Sequence, residues 1–141
     1  MENLLGAFLA LHILCFTTNA QTLKTVEDLT SRHQSCLDSG IDMMNCSRKY
    51  CMEMDSILNV AYKSLRHNLD SENRLKLKAE QTRWLKKRDE FFEEQVKIFQ
   101  KNFQSEEWGS DMFMIVYDND AEFIRERVVE LIKWLRQYEG D

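Results

Sequence analysis

Cys51–Leu65 reads CMEMDSILNVAYKSL and Gln81–Asp89 reads QTRWLKKRD. Both stretches place polar side chains at helical spacing on otherwise apolar patterns. Asp55, Asn59 and Tyr62 step by four and three through the first stretch, and Gln81, Trp84, Arg88 and Asp89 mark the second. At about 3.6 residues per turn each set falls along one side of its helix, so the two sets can meet at a helix-helix contact. This pattern specifies a fold more than a chemistry.

Working outward, the apolar steps predict four helical stretches. The first covers Val26 to Leu37, with Val26, Leu29 and His33 roughly on one side and Ser39-Gly40 ending it. The second runs from Met43 to Leu69 along a seam of Cys51, Met54, Leu58, Ala61 and Leu65. Asp70-Ser71 supplies a turn and an N-cap for the third, Glu72 to Phe103, whose expected seam is Leu75, Ala79, Thr82, Leu85, Asp89, Phe92, Val96, Phe99 and Phe103. The last, Ala121 to Tyr138, repeats the step through Ala121, Ile124, Val128, Leu131, Leu135 and Tyr138. Proline is absent and only four glycines occur, so nothing interrupts long helices and little punctuates a sheet. The expected fold is all-α: a small antiparallel bundle of three long helices plus a short N-terminal one.

Two places break the pattern. Asp89 is a charge on an apolar stripe and needs a partner, because an unpaired buried carboxylate costs several kcal/mol. Arg127 is its expected partner, with Asn59, Tyr62 or Gln81 supplying hydrogen bonds. The apolar run Met112–Tyr117, between Gly109-Ser110 and Asp118-Asn119-Asp120, reads as a short capping helix, a partner surface or a strand.

Leu4–Phe16 has the length and apolarity of a secretory core, and Thr18-Asn19-Ala20 offers small residues for cleavage before Gln21. Residues 1–20 are thus expected to be a signal peptide and residues 21–141 a single domain, exported to the periplasm or secreted. That domain carries 19 Lys and Arg against 23 Asp and Glu, the 24 of the whole chain less Glu2, for a net charge of −4. Such a balance argues against nucleic acid as a partner and permits a basic protein. No membrane association is expected after cleavage.

Cys36, Cys46 and Cys51 remain after the leader. In an exported chain they predict one disulfide and one thiol. Cys36–Cys46 is favoured with Cys51 free on the inner seam, and Cys36–Cys51 is the alternative. Together with His33 they lack the tight paired spacing of a zinc site, and no metal or cofactor is expected. There is no nucleophile elbow, phosphate-cradling glycine loop or His-Glu-x-x-His motif, so the chain does not read as an enzyme. His33 and His67 read as surface or boundary residues, and Trp84 as a packing residue beside the seam.

Taken in order, several elements resemble the lysozyme inhibitor LprI-like N-terminal domain family of exported bacterial proteins. They are Cys36-Leu37-Asp38, Met44-Asn45-Cys46, Asp55-x2-Leu58-Asn59-x2-Tyr62-x2-Leu65, Leu75-x5-Gln81-x2-Trp84-x3-Arg88-Asp89, Gly109-Ser110 and Arg127-x3-Leu131. The subgroup that this chain resembles carries two further cysteines where Phe92 and Asn119 stand here. Their joint loss fits a missing second bridge, which implies that Cys36 pairs with Cys46, that Cys51 is extra, and that the 104–120 connection is looser. The resemblance implies a non-enzymatic binding domain, with inhibition of a basic lysozyme as the sharpest expectation and a structural or stress-related envelope role as the competing one. It assigns no residue as an inhibitory contact.

Overall fold

The computed structural model describes residues 23–104, 109 and 112–139; the expected leader and its cleavage point lie outside these residues. The described residues form four helices and no strand: α1 (Leu23–Asp38), α2 (Met43–Asn68), α3 (Ser71–Gln104) and α4 (Phe113–Glu139).

Local chemistry fixes the ends. Gly40 adopts a left-handed φ of 66°, and its N–H donates to the Leu37 carbonyl at 2.9 Å, closing α1. Asp42, with φ 50°, is a non-glycine residue in the same region, and its carbonyl accepts from the N–H groups of Asn45 and Cys46 as α2 begins. At the next turn the Asp70 carboxylate accepts from the Asn73 N–H at 2.8 Å, an N-cap that holds its carboxyl below the usual range. From α3, Arg74 reaches back, donating to the carbonyls of Arg66 and His67 at 3.0 and 3.2 Å and satisfying groups that the end of α2 leaves open.

The core lies chiefly between α2 and α4, the two helices in closest approach, and α4 also touches α1 and α3. Met54, Leu58, Ala61 and Leu65 face Ala121, Ile124, Val128, Leu131 and Leu135, with Val26 and Leu29 closing one side. These are the seams expected of α2 and α4, except that Cys51 is half-buried and Tyr138 exposed.

Two expectations are corrected. On α3 the buried side runs through Leu77, Gln81 and Phe99, with Trp84, Arg88 and Phe92 half-buried between them, whereas Leu75 is 70% exposed. Up to Asp89 this face is turned by about 100°, one residue's rotation, from the expected seam, while Phe92 and Phe99 of that seam do lie on it. The rings explain the choice: Trp84 and Phe91 both stack on Phe123 of α4, at 5.7 and 4.6 Å between centroids. The second correction concerns Met112–Tyr117, which leads into and forms the first turns of α4 and is neither a separate capping helix nor a strand. The polar triplet after it does not end the helix, because Asp118 contacts His33, Asn119 donates to Gln95 at 2.8 Å, and Asp120 is buried.

Candidate functional site

The expected polar residues divide between a buried knot and an open groove. Arg127 of α4 forms the knot. Its side chain is 2% exposed, and its Nε donates to Gln81 Oε1 at 3.0 Å. Nη1 donates to Glu130 at 2.6 Å and Glu80 at 3.3 Å, while the guanidinium lies 5.5 Å from the Trp134 ring centroid. Asp89 is not its partner. The rotation of α3 leaves Asp89 on the outside, 62% exposed at its side chain, where it accepts hydrogen bonds from its neighbour Arg88.

The groove, about 400 Å³, lies between α2 and α3. Asp55, Asn59 and Tyr62 line one wall and Gln81, Thr82 and Arg88 the other, over Leu58 and Leu85. Spacing of four and three brings Asp55, Asn59 and Tyr62 to the same wall, as helix geometry requires. Asn59 Nδ2 is drawn back to the Asp55 carbonyl at 2.9 Å. Arg88 is fixed from several directions: Nη1 stands 3.7 Å from Asp55, and Trp84 and Phe92 lie against its guanidinium at 5.9 and 5.7 Å from their centroids. Trp84 therefore packs and holds Arg88 in place. Of the expected set, Asp55, Asn59, Tyr62, Gln81 and Arg88 meet in this groove, Trp84 supports it, Gln81 links it to Arg127, and Asp89 stands outside.

Sequence reasoning missed a third cluster. His33, 11% exposed at its side chain, stacks on Tyr50 with centroids 4.2 Å apart, and its Nε2 lies 3.1 Å from Asp118 Oδ1 and 3.4 Å from Ser47 Oγ. The Asp118 contact has ion-pair distance without aligned hydrogen-bond geometry. A serine-histidine-aspartate relay needs its hydroxyl and carboxylate on opposite ring nitrogens. Here both approach Nε2, and Ser47 is fully buried, so this cluster packs α1 against α2 and α4 instead of activating a nucleophile. His33 already lay on the stripe with Val26 and Leu29; its partner on a distant helix was not readable.

Cys36 and Cys46 form the disulfide, with Cα atoms 5.9 Å apart, and Cys51 is free. Burial, aided by the carboxylates of Asp120, Asp55 and Asp118, pushes the Cys51 thiol up to about 11, leaving it inert at neutral pH. Among the described residues no group of three or more His, Cys, Asp or Glu side chains is placed to hold a metal ion, and no helix is long and apolar enough to cross a membrane.

Comparison with curated proteins and with solved structures gives no significant match. A family model does match: lysozyme inhibitor LprI, over residues 31–131. That span takes in the disulfide, the groove and Arg127. The chain belongs to the LprI lysozyme-inhibitor family.

Proposed function

We propose that residues 21–141 form one exported, non-enzymatic domain that binds a lysozyme and inhibits it, using the α2–α3 groove as the contact surface. The match of residues 31–131 to the lysozyme-inhibitor model carries this reading. The groove adds a surface with anchored polar groups, since Arg88 is held by Asp55 and two rings and Gln81 by Arg127. Preorganised groups of this kind lose little freedom when a partner docks. A net charge of −4 suits a basic partner, and the Cys36–Cys46 bridge suits an oxidising compartment outside the cytoplasm.

An antiparallel bundle would present the groove on a rigid scaffold. The crossed order of contacts supports that arrangement: Thr30 meets Tyr50 while Cys36 meets Cys46, and Asn119 meets Gln95 while Arg127 meets Gln81. The test is clearing of a cell-wall suspension by a panel of lysozymes, with and without purified residues 21–141. Inhibition of at least one basic lysozyme is expected. No inhibition across the panel would remove this reading and leave an envelope component as the partner to seek.

A further inference from the structure

The chain is acidic, with a net charge of −5, yet one of its grooves is lined only by Lys63, Arg66, His67 and Arg74. This basic groove, about 360 Å³, sits where α2 turns into α3. It continues the polar groove already described. Tyr62 and Arg66 are four residues apart on α2, and Lys78 and Arg74 four apart on α3, so the two grooves share their walls along one helix pair.

Nearby carboxylates do not neutralise the cations. Asp70 is committed to Asn73 and Glu72 to Lys76, whose Nζ lies 2.6 Å away. The end of α2 accounts for part of the cluster, since cations favour a helix C-terminus and Arg74 bonds the last carbonyls. It does not account for Lys63, on the α2 wall of the basic groove, or for Lys78, which carries positive charge along α3 into the polar groove.

Side by side along the same helix pair, the two grooves set a cationic end next to a section of amide, hydroxyl and aromatic side chains, Asn59, Gln81, Thr82 and Tyr62, beyond which the Asp55 carboxylate faces Arg88. Amides and hydroxyls match the paired donors and acceptors of sugar hydroxyls and acetamido groups, an aromatic ring matches a sugar face, and the cations match a carboxylate. We propose that this joined groove binds an acidic glycan, its saccharide units along Asn59, Tyr62, Gln81 and Thr82 and its carboxylate among Lys63, Arg66 and Arg74. The inference rests on the preceding reading only for its choice of probe, because the glycan that lysozyme cleaves alternates N-acetylglucosamine with N-acetylmuramic acid, whose lactyl group is a free carboxylate wherever no peptide is attached. Binding there would cover the substrate as well as, or in place of, the enzyme.

Titration calorimetry on residues 21–141 tests it, using soluble strands of alternating N-acetylglucosamine and N-acetylmuramic acid, neutral chitotetraose, and inorganic phosphate. The acidic strands should bind at least about tenfold more tightly than chitotetraose, and more weakly as salt rises from about 0.05 to 0.5 M. A Lys63→Glu/Arg66→Glu double variant, both positions exposed, should lose about tenfold in affinity with an unchanged melting temperature. Lys78→Glu, at a separate exposed position, should weaken binding in the same direction and serves if the double variant fails to fold. Absent binding, equal affinity for chitotetraose, wild-type affinity in the variants, or equal competition by phosphate would overturn the proposal. Strand binding without lysozyme inhibition retains it and removes the inhibitor reading, and inhibition without strand binding does the reverse.

Discussion

Among single residues, Arg127 and Asp89, which their places in the sequence make an interior pair, part company. Arg127 is buried and ties α4 to Gln81 and Glu80 of α3, while Asp89 is exposed and bonds only its neighbour. Arg127→Ala should destabilise by about 2–4 kcal/mol, because Gln81 is left buried without its donor while Glu80 and Glu130 can turn to solvent. Asp89→Ala should cost no more than about 1 kcal/mol, the ceiling for an exposed pair. Urea denaturation of both variants checks the contrast, and a larger loss for Asp89→Ala would return it to the interior. The sequence offered Arg127 only as the partner of Asp89, although Glu130 was within reach as its i+3 neighbour. Gln81 was among the hydrogen-bond suppliers expected at this contact and does meet Arg127, but Glu80 was not readable, because pairing across helices depends on how α3 is turned.

Asp120 supplies a second residue-scale test. It is 8% exposed with Oδ1 unpartnered, and burial raises its carboxyl to about 6 from an ordinary 3.8. The folded state thus holds this proton more tightly than the unfolded chain. The stabilisation is fully present below about pH 4 and is lost as pH rises through about 6. Asp120→Asn should flatten stability between those values and, at pH 7.5, raise it by about 1–2 kcal/mol after screening is allowed for. Thermal melts across the pH range read it directly; a lower melting temperature for the asparagine at pH 7.5 would mean that the ionised carboxylate has a partner.

Among the elements, α1 depends most on covalent attachment. It has 16 residues, of which Val26 and Leu29 are buried, and the bridge from Cys36 to Cys46 fixes its C-terminal end to α2. Replacing both cysteines by serine should cost about 2–3 kcal/mol, the chain-entropy value for a loop of this size. Hydrogen exchange should then quicken in α1 before α2 or α4, and uniform loss across all helices would show that α1 is not a separate unit of stability. The α2 and α4 seams were legible because each has one continuous apolar stripe, and both stripes are buried. On α3 two stripes compete, one through Leu75, Leu85 and Val96 and one through Leu77, Trp84 and Phe91. Stacking on Phe123 selects the second, and that partner lies outside the helix's own sequence. The same dependence on neighbours hid the true start of α4, where Asp118 lies against His33 and Asn119 bonds Gln95, both on other helices.

For the whole molecule, residues that the sequence grouped as one polar network separate into two tasks. Arg127 and its partners hold helices together, and the α2–α3 groove presents polar groups to the outside. Asn59, Tyr62, Gln81 and Arg88 could be assigned to one contact from spacing alone, but not to an open groove, since spacing gives the face of a helix and not its distance from the next. Partner binding in the groove, as proposed, is separable from stability. Lysozyme inhibition and thermal unfolding, measured together on Thr82→Arg, test it most directly, because Thr82 is exposed on the groove wall and its hydroxyl bonds only the Lys78 carbonyl. The expected result is at least about a tenfold loss of inhibition with a melting temperature equal to that of the unsubstituted chain. Full inhibition by a folded Thr82→Arg variant would place the contact elsewhere on the molecule and contradict the account.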